Sequence, residues 1–172
     1  MVNERPDALP TPDEWASIKR EGEMRLGAAG DVSISAELLQ AVIDAAREGV
    51  PNEACGLLAA SAYAADGGAP SRYIPMRNAA ESPYRYMIDP EEQLKVWMEL
   101  EDNGEVPWGI VHSHVASPAV PSATDVGLAF FPDSLYLVCS LADADRPTVR
   151  AWSIVDGTVT EVPLAVSTGA TG

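Results

Sequence analysis

The chain has 172 residues, 47% of them hydrophobic, with a formal net charge of −15 at pH 7, which suits one globular domain with its own core. So acidic a surface repels phosphate backbones and anionic lipids, arguing against nucleic-acid and membrane-surface binding. No stretch approaches the roughly 20 consecutive apolar residues of a membrane span, and MVNERPDALPTPDEW lacks the basic and apolar regions of a secretory signal.

Residues 1–30 are rich in Pro, Gly and charge and show no sustained period, which predicts a partly disordered extension. Order is expected to begin with a strand at Val32–Ser35. Ser35 is then the N-cap of a helix whose apolar face is Leu38, Leu39, Val42, Ile43 and Ala46. Gly49 ends that helix and Pro51 prevents its resumption. ACGLLAASA reads as a buried strand, and Arg72–Met76 as another after the turn-forming ADGGAPS. NAAESPYRYMID reads as a loop leading into a strand that ends at Asp89. Asp89 caps a second helix, with Pro90 as its first residue and Glu92 at the capping-box position. Leu94, Trp97 and Met98 are its expected inward face, and Gly104 marks its end.

Val106–Val111 and Ser134–Leu141 read as strands, with a short helix at Asp125–Phe130 between them. VRAWSIV and TVTEVPL flank Asp156-Gly157, the signature of a hairpin with a two-residue turn. Cys55 and Cys139 lie inside apolar runs, as buried free thiols of a cytoplasmic protein do. The predicted order is β-α-β-β-α-β-α-β-β-β in a single domain over residues 31–166, followed by a flexible tail at 167–172. Parallel βαβ repeats and Gly-rich phosphate loops are absent. The expected class is α/β, a mixed β-sheet flanked by helices.

Both histidines of the chain fall in GIVHSHVASPAVPSATD, at His112 and His114, where a hydrophobic run stops. On extended backbone, residues i and i+2 point to one side, so the two rings face one point as cis metal ligands must. Asp125 follows after a ten-residue connection, long enough to fold back. Two imidazoles and a carboxylate leave a fourth tetrahedral position open, the pattern of a catalytic rather than a structural zinc site. Two His and one carboxylate also suit other divalent ions. Glu53, between Pro51 and an apolar strand, is the candidate proton shuttle. Ser122 is a candidate donor to a developing oxyanion, although Ser122 and Asp125 also have the spacing of a helix capping box.

The whole pattern is Glu53, then His112-Ser113-His114, seven residues, Ser122, two residues and Asp125. It resembles the signature of the JAMM/MPN metalloproteases, Glu … His-(Ser/Thr)-His-x7-Ser-x2-Asp, and matches at every position. The resemblance implies the JAMM/MPN (cytidine-deaminase-like) fold and one Zn2+ per chain bound by His112, His114 and Asp125. It also implies Glu53 as general base and acid, and Ser122 as the group steadying the tetrahedral intermediate.

PNEACGLLA, NAAESPYRYMIDPEEQLKVW, HSHVASPAVPSATDV and SIVDGTVTEVP further resemble the actinobacterial Mec hydrolases. Those compact enzymes act on a small ubiquitin-like sulfur carrier protein whose C-terminal Gly-Gly bears cysteine in amide linkage. The resemblance implies hydrolysis of that amide, with release of cysteine, as a step of cysteine biosynthesis. Two other readings are trimming of a carrier tail to expose Gly-Gly in a sulfur-containing natural product pathway, and a non-catalytic ubiquitin-like-binding module. Arg72, Arg77 and Arg85, among few basic residues, are candidate contacts to an acidic carrier.

Overall fold

Ser35 ends β1 (Val32–Ser35) and starts α1 (Ala36–Gly49). Its backbone is extended and its hydroxyl accepts the Leu38 amide at 3.2 Å, a cap contributing about 1 kcal/mol. The computed structural model describes residues 32–168; the N-terminal extension expected at 1–30, and most of the expected tail, lie outside the described residues. α1 buries Val42 and Ala46, with Leu38, Leu39 and Ile43 packed beside them, as its apolar spacing predicts.

The apolar runs become β2 (Cys55–Ala60), β4 (Val106–His114) and β5 (Leu135–Ser140), with β3 (Arg72–Met76), β6 (Thr148–Val155) and β7 (Thr158–Val162) completing the main sheet. Its order is β3-β2-β4-β5-β6-β7. All neighbours are antiparallel except β4 and β5, which run parallel. The parallel pair needs a crossover, and that crossover carries Ser122 and Asp125. β6 and β7 form the expected hairpin, with Asp156 and Gly157 both at positive φ, as such a turn requires. β8 (Leu164–Ser167) pairs in parallel with β1 and extends one residue past the expected domain end.

Alternation along the strands divides the core between the two sheet faces. One face holds Leu58, Trp108, Leu135, Leu137 and Cys139 against α1. The other holds Leu57, Ile110, Tyr136, Val138 and Ile154, together with Val96 and Leu100 of α2 (Pro90–Asp102). Among the described residues no helix is long and apolar enough to cross a membrane.

Four expectations are corrected. α2 buries Val96 and Leu100, while Leu94 and Met98 are 62% and 58% exposed and Trp97 is half-buried. Val96 and Leu100 pack against Leu57, Ile110 and Tyr136 of the sheet, while at the helix start Glu92 accepts the Arg77 amide at 2.8 Å. Glu92 therefore closes no capping box; Asp89 alone caps, accepting from the Glu91 and Glu92 amides. Residues 78–89 form no strand beyond a single Asn78–Ile88 bridge. α3 spans Ala123–Gly127, starting from the Ser122 cap rather than at Asp125.

Candidate metal centre

β4 continues three residues beyond the expected Val111, so both histidines lie on strand backbone. They share the face of Ile110, and pairing with β2 on one side and β5 on the other fixes their direction. Ser113, between them, points the other way. Its hydroxyl accepts the Ala54 amide at 2.8 Å and its own amide donates to the Ala54 carbonyl at 2.9 Å. Ser113 thereby ties the residue after Glu53 to the histidine strand.

Three contacts return the 115–121 connection to the sheet. His114 Nδ1 donates to the Pro118 carbonyl at 2.8 Å, Trp152 Nε1 donates to Ala119 at 3.0 Å, and the Ser140 hydroxyl donates to Ser117. α3 then starts beside the histidines. Ser122 and Asp125 form a reciprocal capping box: the Ser122 hydroxyl accepts the Asp125 amide at 3.1 Å, and Asp125 Oδ2 accepts the Ser122 amide at 2.8 Å. The capping and chemical readings of this pair coexist, because a hydroxyl that accepts through its lone pair keeps its proton to donate.

Asp125 Oδ2 lies 3.0 Å from His112 Nε2 and 3.1 Å from His114 Nε2, and the two nitrogens are 3.2 Å apart. All three residues are buried. Zinc–ligand bonds of 2.0–2.1 Å in a tetrahedron place ligand atoms roughly 3.3 Å apart, so the donor set fits a metal. The bond from His114 Nδ1 to Pro118 leaves the Nε2 lone pair of the neutral ring facing the centre, the usual arrangement behind a ligating imidazole.

Burial holds His112 below the ordinary imidazole range, keeping it neutral. For His114 burial acts in the same direction, but Asp125 and the Pro118 carbonyl outweigh it and the shift is upward. Burial works to raise Asp125 as well, yet the two imidazoles and the Ser122 amide hold it well below the usual carboxylate range. Glu53 is 4% exposed and its Oε2 makes no hydrogen bond. Burial pushes its carboxyl up to about 7, with His114 lowering it and Asp125 raising it. Its backbone is fixed at both ends: its amide donates to the Ser82 carbonyl at 2.9 Å, and its carbonyl accepts from Asn78 at 3.0 Å.

Two further residues shape this centre. Tyr86 stacks on His112, ring centroids 4.3 Å apart and planes 17° apart. Asn78 uses both ends of its amide: Nδ2 donates to the Glu53 and Arg85 carbonyls, and Oδ1 accepts from the Ala80 and Met87 amides. It joins the Glu53 segment to the loop that carries Tyr86. Their only sequence signal was their place in NAAESPYRYMID, where no local period assigns a partner.

Cys55 donates its thiol to the Met76 carbonyl, and burial pushes it up to about 12; it does not belong to the metal-ligand cluster. Of the three arginines, Arg72 is held by Glu99 and Glu105, and Arg77 by Glu81 and Asp89. Arg85 is exposed.

Residues 35–155 match the family of prokaryotic homologs of the JAB domain. A CysO-cysteine peptidase from Mycobacterium tuberculosis is 46% identical over 143 residues, covering 83% of this chain and 96% of the relative. A desampylase from Haloferax volcanii is 35% identical over 127 residues, covering 71% and 88%. Among solved structures, a protein from Desulfitobacterium hafniense superposes with a TM-score of 0.72 at 34% identity, covering 81% of this chain and 95% of that one. A JAB1/MPN domain protein from Archaeoglobus fulgidus shares the fold, with a TM-score of 0.53 at 20% identity over 80% of this chain and 99% of that one. The chain belongs to the prokaryotic JAB-domain family and is a JAMM-type peptidase.

Proposed function

We propose that this peptidase hydrolyses the amide that joins cysteine to the C-terminal glycine of a small ubiquitin-like sulfur carrier protein, releasing cysteine. The observation that carries the chemistry is the convergence of His112 Nε2, His114 Nε2 and Asp125 Oδ2 at 3.0–3.2 Å, with a buried Glu53 that interacts electrostatically with His114 and Asp125 and whose Oε2 makes no hydrogen bond. Support for the substrate comes from the 46% identity to a relative named for CysO-cysteine cleavage. The two free thiols, buried and unpaired, suit a cytoplasmic setting.

In this reading His112, His114 and Asp125 hold one Zn2+. When bound, the ion supplies Lewis acidity at the scissile carbonyl and makes water nucleophilic near neutral pH. Glu53 takes the proton of the attacking water and returns it to the departing amine as the C–N bond breaks. The Ser122 hydroxyl, fixed by the Asp125 amide, donates to the carbonyl oxygen as that oxygen gains charge. Pro118 holds the His114 ring through Nδ1, and Tyr86 covers the His112 ring.

Intact mass spectrometry of a carrier–cysteine conjugate tests the reading. Zinc-loaded wild type removes one cysteine and Glu53→Ala does not. An intact conjugate beside efficient trimming of a carrier extended past Gly-Gly would transfer the function to tail maturation.

A further inference from the structure

Beside the metal centre, on the same sheet face, lies an apolar cleft of about 210 Å³. Ile110 and Tyr136 form its floor, Tyr86 and Ile88 one wall, and Phe131 the other. We propose that this cleft is a specificity subsite that receives a branched aliphatic side chain of the substrate's tail, two residues from the residue that carries the scissile carbonyl. The proposal rests on the carrier reading given above.

Three observations carry it. First, the cleft is continuous with the metal centre: Tyr86 lines it and also stacks on His112. Second, the distance suits an extended tail. Ile110 precedes His112 by two residues on one face of β4, which is about 6.7 Å. Alternate side chains of an extended peptide repeat at the same interval, so a tail that runs in the direction of β4 and reacts at the metal presents the side chain two positions earlier to the cleft. In a tail ending in Gly-Gly, that is the side chain just before the glycines.

Third, the cleft is built rather than incidental. Asn78 Oδ1 accepts the Met87 amide and Asn78 bridges Ile88, which fixes one wall. The Phe131 amide donates to the Tyr136 hydroxyl at 3.0 Å and its ring packs on Trp97 with centroids 5.1 Å apart, which fixes the other. At the rim Met87 and Leu128 are 50% and 45% exposed. A pre-formed apolar recess with no charged group in its lining selects aliphatic over polar side chains by desolvation alone.

The test is titration calorimetry with the zinc-loaded full chain carrying Glu53→Gln, which retains bound substrate. The probes are two carriers ending in Leu-Gly-Gly-Cys and Ala-Gly-Gly-Cys, identical elsewhere. The Leu form is expected to bind about tenfold more tightly. Met87→Asn with Leu128→Asn, both at exposed positions, should erase most of that advantage. Equal affinities, absence of binding, or a preference untouched by the rim substitutions overturns the proposal. So does a dimer, by light scattering, that the rim substitutions dissociate, because a second copy would then fill the cleft. The carrier reading fails separately: wild type would leave the conjugate intact in mass spectrometry even if the Leu preference were present.

Discussion

Asp125 accepts the Ser122 amide with Oδ2, the same oxygen that faces both histidine nitrogens. The first turn of α3 is therefore part of the candidate metal centre, and the cap aims the carboxylate at the two imidazoles. Ser122→Ala removes the cap's hydroxyl and should cost about 1 kcal/mol of stability. If that hydroxyl also donates to the reacting carbonyl oxygen, kcat falls by on the order of a hundredfold. Urea unfolding of the metal-free protein and steady-state kinetics separate the two roles. A stability loss with unchanged kcat would leave Ser122 a cap only.

The burial of Glu53 carries a stability cost. Its carboxyl titrates near 7 when folded against 4.5 for the free group, so the folded protein binds the proton more tightly than the unfolded chain. The stability from that proton is complete below about 4.5 and is lost as pH rises to about 7. The size is on the order of 3 kcal/mol. Glu53→Gln should raise the melting temperature of the metal-free protein by several degrees at pH 7.5, and by little at pH 4.5. Calorimetry at the two pH values checks this; a variant no more stable at pH 7.5 would contradict the burial argument.

In its proposed role as base, Glu53 must be ionised. The zinc-loaded enzyme should show an acid limb at or below about 7, since a nearby cation favours the carboxylate. Glu53→Gln should lower kcat by on the order of a thousandfold across the profile and keep zinc bound. A retained acid limb with high turnover in the variant would assign the base elsewhere.

Chelation should abolish turnover and leave the fold in place, because the sheet's apolar faces do not depend on the ion. Zinc should restore activity at one equivalent per chain, while His114→Ala should lose both zinc and turnover. Affinity should fall at low pH, where protons compete for the imidazoles and the carboxylate. Metal analysis, circular dichroism and turnover assays together test these outcomes; activity that survives complete metal removal would refute the zinc reading.

Asn78→Ala deletes four hydrogen bonds at once and should cost roughly 2–4 kcal/mol. Because Asn78 links the Glu53 segment to the Tyr86 loop, kcat/KM should fall with it, although Asn78 touches no metal ligand. Urea denaturation and kinetics of the same variant provide the readout. A destabilised but fully active variant would limit Asn78 to a structural role.

What the sequence determined by itself was whatever depends on short spacing. His112 and His114 share a side because strand backbone alternates, Ser35 and Asp89 cap because their side chains reach amides two or three residues on, and Asp156-Gly157 turns because both positions sit at positive φ. Of the residues named by the resemblance, His112, His114 and Asp125 bring their ligand atoms within 4.8 Å of one another.

Only the tertiary structure decided contacts between distant segments. The spacing of α2 pointed to Leu94, Trp97 and Met98, whereas packing against the sheet buries Val96 and Leu100. β1 and β8 pair across the whole described chain, and among the described residues β4 with β5 is the only parallel pair in the main sheet. The stacking of Tyr86 on His112 and the four bonds of Asn78 arise in a loop without a period of its own. Local dihedral and capping preferences act over a few residues and can be read from spacing. Which surfaces meet is a comparison among many long-range packings, made by burying apolar area and satisfying buried polar groups only once the chain has closed.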